Sequence, residues 1–279
     1  MNINMVTDWK WPNSTYPKAF GWFHDLWLLI MVLVCILLCK KFGSKHNKRT
    51  DDVVIFSIGL ISLIFEIYKQ IFFTIESGYY NWDKIPFQFC SVPMYVALIA
   101  PILKEGRIKD VMYKFIAFFG LLSGCLVMIY PVTCLHSIYI SMAIHTMVWH
   151  VSLVVMGVYL QYSKNYTENY KGSILPSFII YTIVTFFALF ADIIAYNVYF
   201  KNPTLNVYDQ TFNMFYISPY YSTGLGVFEA IKLNVPYILF LLGYMALFIG
   251  GTSIIWLIVK AIRKAANSRI EDNTKENEV

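Results

Sequence analysis

The chain has 279 residues, of which 58% are hydrophobic and 14% are charged. A soluble domain of this length carries about 25% charged residues, so the composition excludes an ordinary soluble protein and predicts an integral membrane protein. The net charge of +5 gives no reason to expect a nucleic-acid partner, because the basic residues are grouped between apolar segments. The five cysteines lack metal-ligand spacing, and we predict neither a metal nor a cofactor.

Seven apolar segments are long enough to cross a bilayer, which takes about 17–25 residues. They predict an all-α fold with one seven-helix transmembrane domain over residues 1–259, its spans at 20–39, 53–75, 86–103, 111–130, 137–161, 174–199 and 236–259. Gly120 and Gly124 form a GxxxG pattern, and Gly250 and Gly251 form a pair. These glycines predict close helix packing. Residues 260–279 form a polar tail that we expect to be disordered.

The basic residues indicate the orientation of these spans. Five Lys and Arg residues fall in the predicted outer segments, and fifteen of the 22 fall in the connections 40–52, 104–110 and 162–173 and after residue 259. Because basic connections face the cytoplasm, we predict an N-terminus outside and a C-terminus inside. A composition rich in Ile, Lys, Asn, Phe and Tyr is typical of a low-GC bacterium, so the predicted location is a bacterial cytoplasmic membrane.

With this orientation, the polar residues inside the spans concentrate in the outer half of the membrane. Burying an ionisable group in hydrocarbon is costly, so such groups normally face a protein interior or a wet cavity. We therefore predict one cavity, open to the extracytoplasmic side and shared by five spans, with these residues around it: His24, Glu66, Gln88, Cys90, His145, His150 and Asp192.

Several of these residues also have a purely structural explanation. Glu66 and Lys69 lie three residues apart on one helical face and would neutralise each other. Asp192 would cap a neighbouring backbone or pair with a tyrosine. His145 and His150 lie about 140° apart around a helix, so we expect at most one of them to face the cysteine.

Cys90 has the surroundings of a nucleophile. Pro86 suits the first turn of a helix, where its missing N–H costs nothing. The free N–H groups of that turn would favour a thiolate, and a histidine from another span would accept the thiol proton. A Cys/His pair of this kind forms a thioester with an acyl group. Gln88 and the first turn would then donate hydrogen bonds to the tetrahedral oxyanion.

Three segments resemble the YwaF-type family of bacterial seven-span membrane proteins: "IPFQFC" before the third span, "HTMVWHVSLVVMGVYL" in the fifth and "TFNMFYISP…VPYILF" before the seventh. "FGWFHDLWLL" is similar to the family's first-span entry and contains His24. A eukaryotic branch that looks distantly related transfers acyl chains onto lysophospholipids. It uses a cysteine in the third span and a histidine in the fifth, and the resemblance implies that Cys90 and His150 take these roles.

This sequence departs from the family pattern at two places. A tyrosine replaces an apolar residue after Asn213, and Val235-Pro236 replaces the usual Pro-Trp. Because of these two departures, the resemblance does not identify the substrate. The resemblance ranks His150 first as the base, whereas the predicted depth of Cys90 favours His145.

The long outer connection 200–235 is rich in aromatic residues, Asn, Gly and Pro, and loops of this length are usually lids or binding elements. Asn213 would donate its amide to a substrate head group, or would bond to backbone in a structural plug.

Three functions fit these residues. The first is a lipid acyltransferase or hydrolase that acts on membrane phospholipids through Cys90 and a histidine. The second is a non-enzymatic transporter or ligand-binding protein that uses Glu66, His145 and Asp192 as a polar relay. The third is a structural partner in an envelope complex, in which the polar cluster holds the helices together.

Overall fold

The computed structural model describes residues 9–12, 16–43, 47–131, 135, 137–167, 174–205, 207 and 210–277, with only the backbone for 267–277. Within these ranges the chain is all-α, and the extended pairing is a single bridge between Lys10 and Tyr139. Its helices are α1 (Trp22–Phe42), α2 (Lys48–Ser77), α3 (Val92–Ile99), α4 (Arg107–Ile129), α5 (Ile140–Ser163), α6 (Leu175–Phe200), α7 (Gly226–Asn234) and α8 (Tyr237–Asn277).

Five of the described helices, α1, α4, α5, α6 and α8, are long and apolar enough to cross a membrane. Helix α2 is longer than most of them, with 30 residues, but it contains charged residues along its length. Helix α3 and the 3₁₀ turn after it make a short apolar helix, Val92–Ile102. The all-α class is therefore confirmed, and the chain is a multi-pass membrane protein.

The third predicted span differs from the prediction at its start. The helix expected at residue 86 begins only at Val92, and Pro93 occupies its first turn. The preceding segment holds a 3₁₀ turn, Trp82–Lys84, and then non-helical backbone. The carbonyl of Lys84 accepts a hydrogen bond from Gln70 Nε2 at 2.7 Å, so this segment dips well below the end of α2. Irregular backbone at such depth is tolerated where it lines a cavity.

Helix α5 lies at the centre of the bundle and packs against α1, α2 and α4. Its contact with α4 is close because of glycine. A Cβ at Gly124 would lie 2.9 Å from the carbonyl oxygen of His150, and a Cβ at Gly157 would lie 2.5 Å from Leu121 Cβ. The close packing predicted for Gly124 is confirmed. A Cβ at Gly250 would meet nothing within 4 Å, so the prediction fails there.

A buried polar network ties the helices together at one end of the bundle. Asp51 accepts hydrogen bonds from the Tyr159 hydroxyl at 2.8 Å and from Asn165 at 2.8 Å. Lys109, 3% exposed, pairs with Asp52 at 2.8 Å. All four basic segments of the sequence meet at this end, since Lys48 also pairs with Glu105 and Arg263 donates to Thr167 and Gln161.

The end of the chain also differs from the prediction. Helix α8 has 41 residues and continues to Asn277, so the polar tail is helical over its described part instead of disordered. Residues 278 and 279 of the predicted tail lie outside the described residues.

Candidate functional site

A cavity of about 980 Å³ lies between the C-terminal parts of α2 and α4, the N-terminal half of α5, the segment before α3, the connection that follows α6, and Tyr244 and Phe248 of α8. Ligand cavities in proteins commonly enclose about 300–1,000 Å³. Six of the eight predicted site residues line it: Glu66, Gln88, Cys90, His145, His150 and Asn213. A cavity shared by several spans is therefore present, and five of the predicted spans contribute to it: the second, third, fourth, fifth and seventh.

Cys90 lies in the non-helical segment before α3, not in the first turns of a helix. Its carbonyl oxygen accepts a hydrogen bond from Trp149 Nε1 at 3.2 Å. Trp149 lies about 13 Å along α5 from its start, at 1.5 Å per residue. This bond joins the Cys90 backbone to α5 through the Trp149 indole, which also stacks on the His145 ring, so the contact does not choose between His145 and His150 as the partner of Cys90.

His150 has a defined tautomer in this arrangement. Its Nδ1 lies 2.8 Å from the carbonyl oxygen of Thr146, one turn earlier in α5. A carbonyl oxygen only accepts, so Nδ1 carries the proton and Nε2 of the neutral ring keeps its lone pair. His150 is 6% exposed and lines the cavity. His150 is thus prepared to accept a proton at Nε2.

His145 and Glu66 form a second polar group in the same cavity. The Glu66 carboxylate pairs with Lys69 at 2.7 Å through Oε1, so the mutual neutralisation considered from the sequence is present. Its Oε2 lies 4.0 Å from His145 Nε2. The His145 ring stacks on Trp149 with centroids 5.5 Å apart. Both histidines of α5 therefore face this cavity, despite their angular separation.

Gln88 and Asn213 connect the segment before α3 to the outer connection. Gln88 Nε2 donates to the carbonyl oxygen of Asn213 at 2.9 Å. The Asn213 side chain is used within its own loop, because Nδ2 donates to the Ser222 carbonyl and Oδ1 accepts from the Ser218 N–H. This is the structural explanation considered for Asn213, and it leaves its amide engaged with backbone.

Two predicted site residues lie away from the cavity lining. Asp192 is fully buried in α6, and its Oδ1 accepts a hydrogen bond from the Met214 N–H at 2.8 Å. It caps a backbone group of the outer connection, as its structural explanation proposed. His24 is also fully buried, and its Nε2 lies 3.1 Å from the carbonyl oxygen of Met128. Both side chains were predicted to line the cavity from their depth in the membrane. Depth does not give the direction in which a side chain faces, and these two face away from the cavity.

The expected oxyanion donors at the start of α3 are also already used. The N–H groups of Ser91 and Val92 both donate to the carbonyl oxygen of Gln88, at 2.8 and 3.3 Å. Pro86 lies before the helix, so its predicted role in a first turn is wrong. The described residues hold no group of three or more His, Cys, Asp and Glu side chains that would bind a metal ion.

The outer connection between α6 and α8 covers the cavity and is tied to the helices below it. Phe215 and Tyr216 have φ angles of 55° and 58°, which non-glycine residues rarely adopt. The Tyr244 hydroxyl of α8 holds this turn by donating to the Phe215 carbonyl at 2.8 Å. Farther along, a hydrogen bond from the Thr223 N–H keeps the pKa of Glu229 below its usual value.

Trp149 is the most informative residue that sequence reasoning missed. It joins Cys90 to α5 and stacks on His145, although it was noticed only as part of an apolar run. An indole inside a membrane helix, next to a histidine, was the available signal. Its N–H requires a partner when buried.

Comparison with known proteins places the chain in a family. The model of the TMEM164 family matches residues 19–264. The chain belongs to the TMEM164 family. No curated protein and no solved structure matches the chain. The matched region of this TMEM164-family protein contains α1 to α7 and all of the predicted site residues. Membership of the TMEM164 family shows that the chain belongs to a family of transmembrane proteins. The resemblance to the YwaF-type family stays a prediction.

Proposed function

We propose that this TMEM164-family protein transfers or hydrolyses the acyl groups of membrane phospholipids through a thioester on Cys90. The proposal rests mainly on one observation. Cys90 and His150 line one cavity, and Trp149, the neighbour of His150 in α5, donates a hydrogen bond to the Cys90 carbonyl. The resemblance of their segments to the YwaF-type family, and more distantly to lysophospholipid acyltransferases, supports the same pair.

In this proposal, His150 Nε2 takes the proton of the Cys90 thiol as the sulfur attacks the ester carbonyl of a phospholipid. The C–S bond forms and the ester C–O bond breaks. The proton passes from Nε2 to the departing oxygen, so that a lysophospholipid leaves. An acceptor hydroxyl, or water in the hydrolytic case, then attacks the thioester and returns the thiol. His145 remains the rival base, since it lines the same cavity.

The proposal includes the arrangement of the chain in the membrane. We infer seven spans, with α2 and the re-entrant segment plus α3 added to the five long apolar helices. The N-terminus is outside, the C-terminus is inside, and the cavity opens toward the outer side of a bacterial cytoplasmic membrane. The meeting of the basic segments at one end of the bundle supports this orientation.

The test is acylation of purified protein in lipid nanodiscs that contain phospholipid with a radiolabelled acyl chain. Wild-type protein should acquire a label that hydroxylamine removes, because a thioester is labile to this nucleophile. Cys90→Ala should lose the label, and lipid turnover should fall at least about a thousandfold, as expected for removal of a nucleophile. Cys125→Ser, in α4 and away from the cavity lining, is the matched control and should behave like wild type.

Full turnover in Cys90→Ala would end the assignment of the nucleophile. His150→Gln and His145→Gln, tested in the same assay, identify the base: the base is the histidine whose loss prevents label formation.

A second candidate function, ligand transport through a polar relay, is favoured by the 4.0 Å approach of Glu66 Oε2 to His145 Nε2. The predicted third residue of this relay, Asp192, accepts a hydrogen bond from the Met214 N–H and lies away from the cavity lining. A relay would therefore consist of Glu66 and His145 alone. Absence of any acyl label in the wild-type protein, with binding of a ligand retained, would favour this function over acyl transfer.

A further inference from the structure

Two buried polar atoms in the cavity have no hydrogen-bond partner among the described residues although they face each other. They are Glu66 Oε2 and His145 Nε2, which lie 4.0 Å apart. Glu66 is 3% exposed and His145 is 7% exposed. Most buried polar atoms in proteins are hydrogen-bonded, so a pair of unsatisfied atoms that lines a cavity calls for a ligand group.

The separation of these atoms suits one bridging oxygen. A distance of 4.0 Å is too long for a direct hydrogen bond, whereas an oxygen about 2.8 Å from both atoms makes two good bonds. The other carboxylate oxygen of Glu66 already accepts from Lys69 at 2.7 Å and from Gln70 at 2.6 Å. Because Lys69 already balances the charge of Glu66, the 4.0 Å gap between Glu66 Oε2 and His145 Nε2 calls for a neutral group that both donates and accepts a hydrogen bond. A hydroxyl is such a group.

The gap is also connected to the proposed nucleophile. The Trp149 indole stacks on the His145 ring and donates from Nε1 to the Cys90 carbonyl. One side chain therefore fixes both the histidine of the gap and the backbone of the cysteine. A hydroxyl held in the gap lies in the same cavity as a thioester on Cys90.

We propose that Glu66 Oε2 and His145 Nε2 bind the free hydroxyl of the acyl acceptor, a single-chain lipid alcohol. The hydroxyl donates its proton to Glu66 Oε2 and accepts from His145 Nε2–H. The role of the bound lipid as an acyl acceptor rests on the proposed function, whereas hydroxyl binding by Glu66 and His145 does not depend on Cys90. The site selects a lipid that carries a free hydroxyl over one in which that oxygen is alkylated.

The test compares two ligands that differ at this one group. A lysophospholipid with a free sn-2 hydroxyl, and its sn-2 methyl ether, are titrated separately into protein in nanodiscs, and binding is measured by native mass spectrometry. Wild-type protein should bind the hydroxyl form about tenfold more tightly, which corresponds to one lost buried hydrogen bond. His145→Phe keeps a ring that can stack on Trp149 but removes Nε2, and it should lose this preference. Glu66→Gln should reduce it.

The matched control is His24→Phe, the same change at a buried histidine that lies outside the cavity lining. It should retain the preference. Equal binding of the two ligands by wild-type protein would mean that the gap holds only water and would overturn the proposal. A retained preference in His145→Phe would also overturn it. Failure of the acyl-transfer proposal gives a different result from failure of the hydroxyl site: the acyl label is absent while the preference for the hydroxyl form persists.

A separate groove on the other half of the protein carries a second inference. It has a volume of about 370 Å³ and separates α1 from α2, with α5 forming its floor. Its lining is almost wholly apolar: Val34, Leu38, Phe42, Thr50, Val53, Val54, Ser57, Ile58, Ile61, Val151, Ser152 and Val155. The α2 residues 50 to 61 follow it for about 16 Å, close to half the thickness of a hydrocarbon core of about 30 Å.

The end of this groove near Phe42 and Thr50 is flanked by exposed cations. Lys40 and Lys41 end α1, and Arg49 lies in the first turn of α2. Lys and Arg near a membrane surface attract anionic lipid headgroups. We propose that an anionic phospholipid of the adjacent leaflet seats one acyl chain in this groove, with its headgroup at these cations.

The proposal is tested with nanodiscs that contain equal amounts of phosphatidylglycerol and phosphatidylcholine, followed by native mass spectrometry of the released protein. Wild-type protein should retain phosphatidylglycerol preferentially. Lys40→Gln combined with Arg49→Gln should reduce this retention about tenfold, and Ser57→Phe should reduce it by filling the groove. Lys104→Gln combined with Arg107→Gln removes two exposed cations elsewhere and should have no effect. Equal retention by the groove variants and wild type would overturn the inference.

Discussion

At the scale of single residues, the cavity depends on a strained turn in the connection that covers it. Phe215 and Tyr216 are consecutive non-glycine residues with positive φ. Such a conformation costs about 1–2 kcal/mol for each residue. It persists because Asp192 accepts from the Met214 N–H and Tyr244 donates to the Phe215 carbonyl. Asp192 is therefore a support for the cover of the cavity, and not one of its lining residues.

The change Tyr244→Phe tests this support. It removes the hydroxyl that bonds the Phe215 carbonyl and leaves a buried acceptor unsatisfied, at a cost of about 1–3 kcal/mol. We expect the amides of residues 214–217 to exchange with deuterium about tenfold faster, as measured by hydrogen-exchange mass spectrometry. Tyr130→Phe, at an exposed tyrosine, should leave this exchange unchanged. Unchanged exchange in Tyr244→Phe would show that the turn is held by Asp192 and packing alone.

At the scale of elements, hydropathy predicts helices well and reveals little about their entries. The predicted spans 20–39 and 137–161 overlap α1 and α5 closely, since long apolar runs have no other stable form in lipid. Residues 86–90, which end in Cys90, are mostly apolar and continue directly into the apolar run of α3, so hydropathy extends the third span through them. Its actual depth depends on contacts with Gln70 and Trp149, which come from other helices. Local sequence carries no record of such contacts.

The same limit applies to the candidate site. Depth derived from span boundaries brought Glu66, His145 and Cys90 to one level, and all three line the cavity. The direction in which a side chain faces is set by helix rotation and packing, so depth alone also included Asp192 and His24. The partner of Asp192 lies beyond the end of α6, in an irregular connection. No periodic pattern predicts a bond of that kind.

At the scale of the whole molecule, the two ends of the bundle differ in chemistry. One end holds the cavity, and the backbone of Trp9 and Trp11 pairs there with residues that precede or begin α5. The other end holds the Asp51 and Lys109 networks and the Arg263 contacts. Since basic residues are retained on the cytoplasmic side, this asymmetry predicts that the cavity faces outward.

The orientation is tested by cysteine labelling in cells. The five native cysteines are replaced by serine, and a single cysteine is introduced by Lys201→Cys or by Lys104→Cys, both at exposed positions. A membrane-impermeant maleimide should label the first variant in intact cells and the second only after permeabilisation. This follows because Lys201 lies in the sparsely basic outer connection, whereas Lys104 lies among the basic segments. Label on Lys104→Cys in intact cells, and its absence on Lys201→Cys, would place the cavity on the cytoplasmic side. The chemistry proposed for Cys90 would survive that result, but its lipid would come from the opposite leaflet.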